Sequence, residues 1–270
     1  MIGQRELLKR IDRQVELNRF PRVSIIIGEK GSGRKTLANY IAGSLDHGLT
    51  YIAPTSHAVE HILELAYQVA PAMPMLYVLT ECDNISEETT KLLLYTIKDL
   101  PYEAYFILTC ENLNNIPLKI KNNAVTYIME SYSYEDKCDY LNDIDLPDEE
   151  KEYILEVATN IGEVKEMCEL NTELLRKSVR DILNTLKTDE NSLINAYNDN
   201  DDRFPLHILW KAFKQACSEQ VQTANNPVIY CRLMAITGDY LQDISDADST
   251  EDLFYEWLSD IENEWSAFSA

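Results

Sequence analysis

The 270-residue chain reads as a doubly wound α/β domain continued by helices. Three observations predict this. Short β-branched runs alternate with amphipathic stretches up to about residue 130, a glycine cluster joins the first such run to the next helix, and strand signals stop after about residue 131.

Leu7, Leu8, Ile11 and Val15 recur at helical spacing, which predicts an amphipathic helix over 5–18. Arg22 to Ile27 is a buried strand of a parallel sheet by composition. The glycines of 28–33 follow, then a helix over Lys35 to Ser44. Further strands are expected at 51–53, 75–80, 105–109 and 125–129, with helices at about 57–70 and at 86–98. Beyond them the pattern gives helices at 134–143, 148–160, 162–170 and about 172–187. The Asn- and Asp-rich stretch 188–203 marks a linker or loop. In the last helix Leu253, Phe254, Trp257, Leu258, Ile261 and Trp265 form an i, i+3/i+4 packing stripe. The expected division is a core over 1–130, a helical lid over 131–187 and a C-terminal helical domain over 188–270.

Net charge is −22, unevenly spread. Residues 1–50 carry nine Lys/Arg against five Asp/Glu, whereas residues 134–270 carry eleven against thirty-one. Neutralising phosphates takes Lys and Arg, so DNA contact is expected to be weak or indirect and to involve the basic N-terminal part. The six cysteines include no C-x-x-C pair and no two closer than fourteen positions, which excludes a zinc knuckle and a small disulfide framework. No apolar run approaches the roughly 20 residues of a bilayer span, and the opening MIGQRELLKR has no signal-peptide character, so a cytoplasmic location is expected.

The sharpest local signal is strand, GEKGSGRKT, helix. Glycines let successive amides converge on an anion, and the helix adds its positive end. The phosphate-loop pattern is G-x-x-x-x-G-K-[ST]. Gly28, Gly31 and Gly33 fall in place, but Arg34 stands at the lysine position and Lys35 at the hydroxyl position. Thr36 arrives one residue late, and one residue of slip turns a side chain by about 100° on a helix, so it is expected to miss the metal.

These segments, in order, resemble AAA+ clamp-loader subunits, especially the bacterial DNA polymerase III delta-prime type. The opening Gly3-Gln4-Arg5-Glu6-Leu7-Leu8 is similar to the family's G-Q-x-x-x-L. Residues 19–42 are similar to its strand, phosphate loop and helix, and 82–124 to the run from its second acidic motif to its arginine finger. Ile161-Gly162-Glu163-Val164-Lys165 resembles the second sensor G-x-x-R, with Lys165 at the Arg position. The resemblance implies a P-loop AAA+ core with a lid and a collar-like domain, a first-sensor role for Asn112, and assembly with other AAA+ subunits and a sliding clamp.

The departures from the family bear on mechanism. Its metal-holding Asp is Thr80 here, with Glu81 next and Asp83 two beyond, and its arginine finger falls on Asn123. The cysteine-rich zinc module of bacterial delta-prime subunits is absent from the sequence. Phosphoryl transfer uses a positive cradle, a metal and a finger, the last contributing about 10³–10⁵ in rate. The leading expectation is therefore a non-catalytic subunit of a DNA-replication complex, with phage or mobile-element origin left open, and with no catalytic residue, no metal site and no assigned cofactor. ATP or ADP on the degenerate loop stays open. The alternatives are a weak ATPase that uses Arg34 and Lys35 with Glu81 orienting water, and a stand-alone regulator derived from the same fold.

Overall fold

The computed structural model describes residues 2–52, 58–61, 74–99, 104–188, 204–224, 226–244 and 249–269. The chain divides into two compact units, the first comprising residues 1–143 and 160–162, the second 144–159 and 163–270.

The first unit begins with helix α1 (Arg5–Glu16) and continues through β1 (Val23–Ile27), α2 (Arg34–Leu45), β2 (Gly48–Ile52) and β3 (Met75–Leu79). Then come α3 (Glu87–Asp99), β4 (Ala104–Cys110), α4 (Leu118–Lys121), β5 (Val125–Ile128) and α5 (Tyr134–Asn142). The five described strands pair only in parallel, in the order β2-β3-β4-β1-β5. The expected parallel α/β sheet is present.

Alternate strand residues serve opposite faces of this sheet. Ile25, Tyr77, Leu79, Phe106 and Leu108 pack with Leu93 of α3 and Ile120 of α4. Ile26, Leu76, Val78, Ile107 and Tyr127 pack with Leu7 and Ile11 of α1 and with Leu37 and Ile41 of α2. Because β1, β3 and β4 are covered on both faces, their sequences read as near-continuous apolar runs, interrupted only by the buried Ser24 and Thr109. β2 lies at the sheet edge and is half-buried, and it starts at Gly48, three residues before the expected 51. A glycine carries no side-chain pattern to reveal that start. Of the helix expected at 57–70, residues 58–61 are helical and the rest lies outside the described residues; of the linker expected at 188–203, Thr188 is the last residue of a helix and 189–203 lies outside them.

The second unit holds α6 (Asp148–Val157), most of α7 (Ile161–Cys168), α8 (Thr172–Thr188), α9 (Leu206–Thr223), α10 (Pro227–Asp243) and α11 (Thr250–Ser269). α9 packs on α6, α8 and α10, and α10 packs on α11. Helix α6 ends at Val157 rather than 160, because Ala158 is extended and Thr159 turns its amide onto the Glu163 carboxylate at 2.8 Å, one turn into α7. The last-helix stripe is a packing face, with Phe254, Trp257, Leu258 and Ile261 buried.

Candidate phosphate-loop site

The loop leaves β1 at Gly28, whose N–H donates to Cys110 O at 3.2 Å and so ties the loop to the end of β4. Gly31 (φ 84°) and Gly33 (φ 91°) both take left-handed backbone, which L side chains rarely adopt. Gly33 caps α2, whose first internal bond is Leu37 N–H to Gly33 O at 2.9 Å. The amides of residues 34–36 therefore precede the helical ladder, as in any anion-binding helix start. Ser32 is 6% exposed, and its Oγ is buried with no hydrogen-bond partner among the described residues.

The crest of the loop is held from the segment 160–162. Gly162 N–H donates to Gly31 O at 3.1 Å, and Asn160 Nδ2 donates to Lys30 O at 3.2 Å. A Cβ on Gly162 would lie 2.4 Å from Gly31 Cα, so only glycine permits this backbone approach. Tyr132 Oη donates to Ser32 O at 2.8 Å.

Arg34 does not extend into solvent. Its side chain is 13% exposed, and Nη2 donates to Glu111 Oε1 at 3.1 Å while Nη1 is buried without a partner among the described residues. Asp83 fixes the residues opposite: its carboxylate accepts Glu111 N–H at 3.0 Å and Asn112 N–H at 2.9 Å. Cys82 and Cys110 lie beside this cluster. Burial pushes their thiols up to about 12 and about 11, so neither is a thiolate ligand or nucleophile near neutral pH.

The structure thus brings Gly28, Gly31, Gly33 and Arg34 together in one loop. Lys35 and Thr36 are exposed, and the Lys35 carbonyl accepts Tyr51 Oη–H at 2.9 Å. Glu81 is exposed in left-handed backbone (φ 60°) ahead of the 3₁₀ turn Cys82–Asn84. Asn112 is exposed, and its Oδ1 accepts Asn114 N–H at 2.9 Å, capping the turn Leu113–Asn115. Asn123 Nδ2 donates to Lys119 O at 2.8 Å. Lys165 is exposed on α7 in the second unit. Sequence reading missed Glu111, Asn160 and Tyr132, whose roles come from contacts 77 to 130 positions away along the chain.

The parts that would meet a phosphate are present: a glycine loop, a helix start and a guanidinium. No metal-holding set accompanies them, because the loop threonine, Thr36, is exposed. Among the described residues no group of three or more His, Cys, Asp or Glu side chains is arranged to hold a metal ion.

Sheet order, phosphate loop and helical continuation define the fold as that of the P-loop AAA+ proteins. Solved structures share it. A DNA polymerase III gamma subunit-related protein of Thermotoga maritima superposes with a TM-score of 0.59 over 97% of this chain and 100% of its own, at 13% identity. The RuvB Holliday junction branch migration motor of the same organism gives 0.52 over 82% of this chain and 76% of its own, at 17% identity. In sequence the chain is similar to the DNA polymerase III subunit gamma of Buchnera aphidicola, 23% identical over 216 residues. That match takes in 69% of this chain and spans 56% of the length of the Buchnera protein. No protein-family model matches the chain. No described helix is long and apolar enough to cross a membrane.

Proposed function

We propose that the chain is a non-hydrolysing AAA+ subunit of clamp-loader type, of the delta-prime kind, acting by assembly with other AAA+ subunits and a sliding clamp. The observation that carries this reading is the guanidinium at the lysine position: Arg34 is engaged with Glu111, with no carboxylate at residue 80 to hold a metal beside it. Similarity to a polymerase III gamma subunit supports the clamp-loader assignment. Division of the helical part into a lid and a collar-like domain belongs to the same proposal.

Steady-state ATP hydrolysis by the purified chain tests it. The expected rate lies well below about 1 s⁻¹, the low end of ordinary enzyme turnover. A rate at or above that value, abolished by Glu81→Gln, would establish the ATPase alternative instead.

The DNA contact of this reading falls on α1. A shallow groove of about 460 Å³ is lined by Lys9, Arg10, Arg13 and Arg19 with a single carboxylate, Glu6, which pairs with Lys9 at 2.7 Å. Arg10 lies over the Tyr127 ring, 5.1 Å from its centre, which orients its guanidinium. The isolated chain is expected to bind duplex DNA weakly, and more tightly with partner AAA+ subunits present. In the complex, Arg10→Ala with Arg13→Ala should flatten the slope of log K against log salt by roughly 0.9 per lost phosphate contact. An unchanged slope removes α1 from the DNA path. Failure to co-sediment with any loader subunit or clamp of its host removes the clamp-loader reading and leaves the fold intact.

A further inference from the structure

Arg34, the first residue of α2, already has an anion on its guanidinium. We propose that the Glu111 carboxylate, held on Arg34, is an internal stand-in for a ligand phosphate, and that this pair keeps polyphosphates out of the loop. The inference rests on the phosphate-loop reading of residues 28–36 given above, and it names what regulates that site.

Four observations converge on it. First, Arg34 occupies the position whose side chain would meet phosphate oxygens, yet it is largely buried and turned to the strand ends, where its charge acts on the Cys82 and Cys110 thiols. Second, the backbone that carries Glu111 is fixed: its amide and the next one both donate to the Asp83 carboxylate. Third, the pairing is incomplete. Among the described residues Arg34 Nη1 and Ser32 Oγ are both buried without hydrogen-bond partners, so one carboxylate oxygen leaves part of the guanidinium unpaired. Fourth, the crest is pinned by Gly162 and Asn160, which leaves the loop shaped with no ligand needed to shape it.

The chemistry that competes with Glu111 follows from the unused donors. A guanidinium fork takes two oxygens of one group, and a phosphate presents them in that geometry where Glu111 uses one. Glu111 is 44% exposed, so it can swing into water once displaced. The class of ligand is therefore a di- or triphosphate, bound without hydrolysis, in competition with the chain's own carboxylate. A site closed in about nine molecules in ten loses about tenfold in apparent affinity.

Calorimetric titration of the full chain with pyrophosphate, and separately with ADP, tests this. Glu111→Gln is expected to tighten pyrophosphate binding about tenfold or more over the unsubstituted chain. The gain should vanish in Arg34→Met/Glu111→Gln, because it requires the freed guanidinium. Glu111→Asp keeps the charge but withdraws it by one methylene, and should give a smaller gain; it decides the matter if Glu111→Gln does not fold. Equal affinity in the parent and both single variants overturns the proposal, as does a gain that survives loss of Arg34. ATP turnover is measured on the same samples: hydrolysis by the parent chain would sink the non-hydrolysing reading while leaving the affinity comparison to judge the stand-in.

Discussion

Trp257→Ala is expected to destabilise the helical unit by about 3–5 kcal/mol, the range for removing a large buried aromatic ring. Trp257 of α11 is fully buried and meets three other rings: Phe213 edge-on at 5.1 Å, Trp210 at 5.7 Å and Phe254 at 5.8 Å. Phe213 and Trp210 belong to α9, so one side chain joins the last helix to the helix that packs on α6, α8 and α10. Its indole N–H also donates to Thr237 Oγ1 of α10 at 3.0 Å, and that hydroxyl in turn donates to Leu233 O. Truncation leaves a cavity where three helices converge. Trp257→Phe keeps a ring but loses the indole donor and part of the volume, and should cost about 1–3 kcal/mol. Urea unfolding followed by far-ultraviolet circular dichroism measures both. A loss below about 1 kcal/mol for the alanine variant would mean that this aromatic cluster does not hold the unit together.

The stripe containing Trp257 was legible because helical burial writes a 3.6-residue period into the sequence, and the strands were legible because burial on both faces writes near-continuous apolar runs. The loop was legible in part. Glycines at 28, 31 and 33 announce backbone freedom, and the structure uses positive φ at two of them. What the sequence could not announce is the partner of Arg34. Glu111 lies 77 positions away in a turn without periodicity, and its meaning depends on β4 lying beside β1 in the sheet. Asp83 is similar: it read as a neighbour of an acidic motif, while in the structure its carboxylate is spent on two backbone amides. The short elements Cys82–Asn84, Leu113–Asn115 and Leu118–Lys121 were missed for a related reason, since three or four residues are too few to show a period. Gly162 was read through its place in a sensor motif, and its close approach to Gly31 becomes visible only in three dimensions.

The residue after Gly162 carries the other large expected effect. Glu163 is buried, its side chain 10% exposed, and both oxygens are occupied: Oε1 by Lys211 Nζ at 2.5 Å, Oε2 by Thr159 N–H at 2.8 Å and Thr159 Oγ1 at 2.9 Å. Burial alone would raise its carboxyl, but the Lys211 ammonium and the Thr159 donors outweigh it and hold the carboxyl below its ordinary value of 4.5. A carboxylate lowered on folding adds stability that is fully present above the unfolded value and is lost as pH falls through the folded one. This contribution should therefore hold near neutrality and fade below about pH 4.5. Lys211→Met reverses the logic. It takes the ammonium away from a desolvated carboxylate, which costs about 3 kcal/mol at pH 7, the lower end for breaking a buried pair because Lys211 itself keeps 20% exposure. Without the ammonium, burial dominates and the carboxyl shifts upward, so acidification from pH 7 to pH 5 should recover part of that loss. Lys211→Met/Glu163→Gln should regain most of it at every pH, since no unpaired charge is then buried. Unfolding free energies of the three chains at pH 7 and pH 5 measure the difference. If Lys211→Met costs the same at both values and the double variant regains nothing, the pair stabilises through packing alone, and the charge-based account of the turn between α6 and α7 fails.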